Sequence, residues 1–170
     1  MAEFTVAAVE AGGGWLALCP MPGAGGDYAG DLARVTGWDP ALVLTMTTAA
    51  ELARFGAAGI GKDLRERGIV WHHLPVEDYH ADSPALAAGW AGTSAQARAI
   101  LEQGGRVLVH CRGGCGRSGM AVLRLMVELG EVPEAALPRL RAARPCAVET
   151  EAQYDWAATP PSPGAGTRSS

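Results

Sequence analysis

Apolar and polar positions along the chain fall into short blocks with two different periods. Apolar runs at Phe4–Val9, Trp15–Cys19, Ala41–Met46, Ile69–Leu74 and Arg106–His110 read as strands. Helix-like segments lie between and after them. The alternation predicts an α/β layered fold, with a mostly parallel central sheet flanked by helices. Thr48-Ala49-Ala50-Glu51 has the spacing of a capping box, in which the two polar side chains satisfy backbone donors at a helix start. Ser83-Pro84 places an N-cap before a proline at the first helical position, and the long helix it opens runs toward Gln103 before Gly104-Gly105 ends it. Further helices are expected from Ser118 to Gly130, after Pro133, and over Thr150 to Ala158. The apolar stripe from Met120 to Leu129 reads as helical core packing.

With 170 residues, 48% of them hydrophobic and 19% charged, the chain suits one globular domain with a real core. That domain is expected over residues 1–158, without internal repeat or linker. A loose tail over 159–170 follows, since PPSPGAGTRSS shows no periodicity. The net charge of −4 leaves no broad basic surface for a nucleic-acid backbone or an anionic membrane, so any anion it binds must meet a local site. Its apolar stretches are broken well short of the roughly 20 residues of a bilayer span. The opening MAEFTVAAVE is acidic where a secretion signal is basic. These features lead to the expectation of a soluble, cytoplasmic protein, with a monomer as its expected state. Four cysteines (Cys19, Cys111, Cys115, Cys146) are too few for a disulfide scaffold, and in a reducing compartment a spaced pair points instead to catalysis, redox activity or metal binding.

The most informative stretch is RVLVHCRGGCGRSG, Arg106 to Gly119, in which a short apolar strand runs through a glycine-rich loop into an amphipathic helix. Cys111 stands at the strand's end. Arg112, Gly113, Gly114, Cys115 and Gly116 separate it from Arg117, enough chain to curl around one phosphate-sized group. The glycines allow close backbone approach, so successive N–H groups can point inward as a nest with the positive end of a helix behind them. A thiol in such a place should ionise, because helix N-termini and guanidinium groups lower a cysteine pKa from about 8.5 toward roughly 3.5–7.5. Arg117 then offers a planar fork for two phosphoryl oxygens, and Ser118 a hydroxyl near the sulfur.

This stretch resembles the HCx5R(S/T) loop of the cysteine-dependent protein phosphatases, both tyrosine-specific and dual-specificity. The segments ELARFG, KDLRERGIVWHHLPVED, HCRGGCGRSG and AVETEAQYDW are similar to successive parts of the cyclin-dependent kinase inhibitor 3, or kinase-associated phosphatase, family, over about residues 41–156. The resemblance implies a compact dual-specificity phosphatase fold, hydrolysis without metal or other cofactor, and a phosphocysteine intermediate. It implies that Cys111 is the nucleophile, that Arg117 binds phosphate and the transition state, and that Ser118 assists the departure of the cysteine. Arg112 to Arg117 would form the phosphate-binding loop. The general acid should lie on the loop Pro75 to Pro84, where Asp78 follows Leu74-Pro75-Val76-Glu77 as the family's acid follows its strand. Asp82 is the other candidate, since Pro84 comes six positions after Asp78 where the family places a proline after four. Asp82 could equally be held in capping the helix that follows. Gln153 falls where related enzymes keep a glutamine that positions water.

Other residues keep plainer readings open. Cys115 is either a resolving thiol for oxidised Cys111 or a small residue in a tight loop. Cys19 and Cys146 are expected in or near the core. His72 and His73, adjacent on a strand, point to opposite faces and do not readily ligate one ion with His80, so no metal site is expected. His110 should organise the loop by hydrogen bonding to backbone, and Arg112 either contacts substrate from the loop rim or is solvated.

The function these features favour is hydrolysis of phosphotyrosine, phosphoserine or phosphothreonine on a phosphorylated protein through a cysteinyl-phosphate. A phosphoprotein-binding pseudophosphatase and a rhodanese-like sulfurtransferase are the alternatives. An intact Cys111 with nearby aspartates disfavours the first, and the Arg-Ser ending disfavours the second. Scarcity of lysine in the loop favours protein over phosphoinositide substrates.

Overall fold

The computed structural model describes residues 3–160; the expected tail therefore lies, beyond Pro160, outside the described residues. Five strands form one mixed sheet: β1 (Ala7–Ala11), β2 (Gly14–Cys19), β3 (Leu42–Thr45), β4 (Val70–His73) and β5 (Arg106–His110), in the order β1-β2-β5-β3-β4. β1 and β2 form an antiparallel pair joined at Gly12-Gly13, both at positive φ, whereas β2, β5, β3 and β4 run parallel. The sheet is thus mostly parallel, as expected, with one antiparallel edge strand. β1 begins three residues later than the Phe4 start read from the sequence.

Helices cover both faces. α1 (Tyr28–Gly37), α2 (Ala49–Arg54) and α3 (Ile60–Glu66) pack on one face; α4 (Pro84–Glu102), α5 (Gly116–Glu128), α6 (Pro133–Ala143) and α7 (Glu151–Ala158) pack on the other. The central strand β5 shows why its sequence is continuously apolar: Val107 and Val109 join the core under α4 to α7, while Leu108 joins the core under α1 to α3. Thr48 and Glu51 form the expected capping box at α2, and Ser83 caps α4 by accepting from Leu86 N. α5 is buried along nearly its whole length, which makes it the interior helix of its layer.

The parallel strands β2, β3 and β5 end side by side at Cys19, Thr45 and His110, whose Cα positions are in register. Chain leaving their carboxyl ends therefore converges on one region, the usual place for a binding site in such sheets.

Candidate active site

Between β5 and α5, residues 111–115 make the tight loop. Gly114 adopts φ +71°, and a Cβ there would run into the backbone of Cys19 and Pro20, so only glycine lets the loop lie against the end of β2. Gly116, the first residue of α5, has no room for a Cβ beside Glu149 and Gln153. Glycine spacing thus sets how closely the loop packs at its base.

Cys111 is buried at 2% exposure, and its Sγ lies 3.1 Å from Ser118 Oγ in the first turn of α5. His110 is also buried, with Nε2 2.7 Å from Thr45 Oγ1 and Nδ1 3.4 Å from the Cys111 carbonyl oxygen. Burial pushes the His110 pKa down to about 4, with the nearby His73 pushing the same way against the Cys111 carbonyl. The ring is neutral at pH 7 and structural in its contacts.

Arg117 is 1% exposed and held from three sides. Nη1 and Nη2 donate to Glu51 Oε1 and Oε2 at 2.7 and 2.9 Å, and Nη1 also donates to the Val76 carbonyl at 2.8 Å. Asp78 Oδ1 stands 3.4 Å from Nη2. Desolvation alone would lower the Arg117 pKa, but the Glu51 hydrogen bonds and the charges of Cys111, Glu51 and Asp78 outweigh it and raise it. For Glu51, desolvation raises the pKa, and the donors from Arg117 and Thr48 reverse that to a net lowering. Both partners stay charged. Arg117 Nε is buried and has no hydrogen-bond partner among the described residues. With the end of the guanidinium fork on Glu51, the side formed by Nε and the second Nη2 hydrogen faces away from it and can donate to the oxygens of another acceptor.

Glu51 is the site residue that sequence reasoning missed. Its capping role was legible, but its grip on Arg117 joins residues 66 positions apart, and only the register of β3 beside β5 brings them together.

The loop after β4 carries Asp78, half-buried, and Asp82, exposed. Asp78 Oδ1 accepts from Tyr79 N at 3.0 Å, and Tyr79 itself takes φ +65° and is 60% exposed. Ser83, and not Asp82, caps α4, and Ser83 Oγ also donates to the Pro75 carbonyl at 2.7 Å. Gln153 is fully buried at the base of the loop: Oε1 accepts from Glu149 N and Thr150 N, and Nε2 donates to the His80 carbonyl at 3.3 Å. Its amide ties the start of α7 to the Asp78 loop. Arg112 sits exposed on the rim with its guanidinium 4.9 Å from the Phe55 ring centroid. His72 meets Thr93 Oγ1 and Gln96 Oε1, while His73 meets the Thr47 carbonyl.

Two cysteine expectations need correction. Cys146 does not pack in the core; it is exposed and forms a disulfide with Cys115. Cys115 is therefore neither a free resolving thiol nor a mere spacer. Closeness in sequence pairs Cys115 with Cys111, whereas the turn after α6 brings Cys146 up to the loop from 31 positions away. Arg144 Nε and Nη2 donate to the Gly114 and Gly113 carbonyls at 3.1 and 2.9 Å beside this bond. Cys19 is buried as expected, and burial foremost holds its thiol well above the ordinary range, in the protonated form.

A buried cysteine at a strand end, a glycine loop and an arginine fork opening a helix define the class of cysteine-dependent phosphatase domains. The model of the Swiss Army Knife protein DSP-PTPase phosphatase domain family (PTP-SAK) matches residues 41–156, and the chain belongs to that family. The chain is 28% identical to rat cyclin-dependent kinase inhibitor 3 over 117 residues, 67% of this chain and 54% of the relative. It thus spans about half the length of the curated relatives it matches. Its fold is similar to kinase-associated phosphatase with the catalytic cysteine replaced by serine (TM-score 0.78, 21% identity, 92% of this chain and 93% of that one). It is also similar to the active form of Tk-PTP (TM-score 0.63, 28% identity, 83% and 87%).

Proposed function

We propose that the chain hydrolyses phosphomonoesters on protein side chains, with Cys111 as nucleophile and a cysteinyl-phosphate as intermediate. The observation that carries this reading is the buried Arg117, whose Nε has no partner among the described residues while Glu51 fixes the end of its fork. A phosphoryl group seated on the loop would accept from the Nε and Nη2 side and from the backbone N–H groups of Arg112 to Arg117. The Cys111 sulfur would attack phosphorus opposite the ester oxygen, and Asp78 would protonate that oxygen as the bond breaks. In the second step water, positioned with the help of Gln153, attacks phosphorus and gives its proton to the Asp78 carboxylate, while the P–S bond breaks with its electron pair on Cys111 and Ser118 Oγ steadies the departing sulfur. Asp78 is preferred to Asp82 because its carboxylate already lies beside Arg117.

The resemblance to kinase-associated phosphatase supports a phosphorylated protein as substrate, and the exposed Arg112 rim offers a contact for it. Neither a metal nor another cofactor enters this scheme. Among the described residues no helix is long and apolar enough to cross a membrane. We place the enzyme in the cytoplasm as a monomer, its domain running from residue 1 to 158. The test is phosphopeptide turnover and trapping: Cys111→Ser should abolish turnover while retaining phosphopeptide binding. Asp78→Asn should slow phosphopeptide hydrolysis by roughly 10²–10⁴-fold and p-nitrophenyl phosphate hydrolysis less, as its leaving group needs little protonation. If Asp82→Asn gave that pattern and Asp78→Asn did not, the acid would be reassigned. Substantial turnover by Cys111→Ser would overturn the mechanism.

A further inference from the structure

The two sulfurs of the Cys115–Cys146 bond have unlike surroundings. Cys146 lies exposed on the turn between α6 and α7. Cys115 is the N-cap of the 13-residue α5, and Arg144 Nη2 stands 4.0 Å from its Sγ. In thiol–disulfide exchange, access decides which sulfur is attacked, and the more stable thiolate leaves faster. The helix end and the guanidinium both stabilise a thiolate on Cys115, and exposure opens Cys146 to attack. The chemistry is therefore asymmetric.

The same segment shapes the loop. Inward-facing N–H groups require outward-facing carbonyls, and those of Gly113 and Gly114 are held outward by Arg144. Val148 N adds a hydrogen bond to the Cys115 carbonyl at 3.1 Å. The disulfide sits between these contacts and joins residue 115 to the chain immediately following Arg144.

We propose that Cys115–Cys146 is a redox site separate from Cys111, opened by a dithiol reductant that attacks Cys146, and that the closed bond tightens phosphate binding by keeping Arg144 on the loop carbonyls. The proposal rests on the phosphate-loop reading above. In the first step a reductant thiolate bonds to Cys146 Sγ, the Sγ–Sγ bond breaks and its electron pair leaves on Cys115. The second reductant thiol then attacks its own sulfur in the mixed disulfide and releases Cys146. Cys115 and Cys146 gain two electrons, the reductant leaves as a disulfide, and its two protons pass to the released sulfurs or to solvent. The reverse exchange, with the reductant's disulfide as oxidant, closes the bond. When it is open, a Cys115 thiolate is a charged acceptor that competes with the neutral Gly113 carbonyl for Arg144 Nη2. The loop then loses both its covalent tie and part of its carbonyl brace.

The experiment uses the full chain carrying Cys111→Ser, so that oxidation of the nucleophile plays no part. Thiol labelling and peptide mass report the state of the bond, and calorimetric titration with tungstate reports the grip of the loop. The oxidised protein should bind tungstate roughly five- to tenfold more tightly than the dithiothreitol-reduced protein. Cys146→Ser in the same background should bind like the reduced form and ignore reductant. Equal affinity in two states whose labelling differs would overturn the proposal. So would a bond that dithiothreitol leaves closed in the folded protein, or a Cys115 that labels as a free thiol under oxidising conditions. Absence of tungstate binding in either state would instead overturn the phosphate-loop reading, and this proposal with it.

Discussion

A single carboxylate illustrates how two roles can share one residue. Glu51 closes the capping box of α2 and, with both oxygens, holds Arg117. The two roles separate by substitution, because glutamine can complete a capping box but carries no charge for the guanidinium. Glu51→Gln should lower kcat/KM on p-nitrophenyl phosphate by about 10- to 100-fold, the scale of a misplaced binding group. Glu51→Ala should lose a further ~1 kcal/mol of stability in urea unfolding, as Thr48 N loses its acceptor and the capping box its reciprocal half. Equal stability of the two variants would show that the bond from Thr48 N to the side chain of residue 51 carries no weight. His110 sets a pH dependence of its own. Its folded pKa is about 4 against an ordinary 6.5, so above pH 6.5 both folded and unfolded states are neutral and its contribution is complete. As pH falls from 6.5 to 4 the unfolded state takes up a proton that the folded state refuses, and stability declines by something on the order of 3 kcal/mol. Glu51, whose pKa is lowered from 4.5, keeps its contribution above that value and loses it as pH falls further, so its loss sets in at the acid end of this window. Urea midpoints followed over pH 4 to 7 should slope in the wild type and flatten above about pH 5 in His110→Gln.

The loop between β5 and α5 was legible in outline because its spacing obeys local rules: a strand end, small residues and a helix start lie next to one another in sequence. The strands were legible for a similar reason, as burial on both faces demands continuous apolar runs such as Val107 to Val109. α1 and α3 were foreseen only as helix somewhere between strands. α1 buries chiefly Leu32 and Val35 within a run containing two glycines, and α3 is seven residues long without a side-chain cap, so neither advertises its bounds. What local rules could not show is which glycine each neighbour requires. Gly113 has open space around a would-be Cβ and no positive φ, while Gly114 has φ +71° and the Cys19–Pro20 backbone against it. Gly113→Ala should therefore stay within about 0.5 kcal/mol of wild type in unfolding experiments. Gly114→Ala should lose 2 kcal/mol or more, roughly the combined cost of a left-handed non-glycine residue and overpacking. A comparable loss in both would mean that the loop relaxes as one unit.

Taken as a whole molecule, the chain holds one buried arginine inside a protein of net charge −4 by pairing it with carboxylates and fastening everything around it. The fastening comes from distant parts: Glu51 and Val76 on one side, and the α6–α7 connection on the other. That connection is itself braced by Arg141, which donates to the Ala147 and Val148 carbonyls, and by Gly119, where a Cβ would strike the Val148 backbone. None of these long-range ties has a signature in spacing, which is why the cysteine count pointed away from the disulfide that exists. Its effect on the whole fold follows from the chain it closes. A cross-link spanning 31 positions removes loop entropy from the unfolded state worth about 3–4 kcal/mol in the chain-entropy description. For a domain of this size each kcal/mol moves Tm by roughly 2–4 °C, so reduction should lower Tm by about 10 °C. Calorimetry on Cys111→Ser with and without dithiothreitol measures this, and Cys111→Ser/Cys146→Ser should already melt at the lower temperature whether or not reductant is present. A shift below about 2 °C on full reduction would mean that the hydrogen bonds of Arg141, Arg144 and Val148 hold the segment as firmly without the bond, leaving it only a local part in the loop.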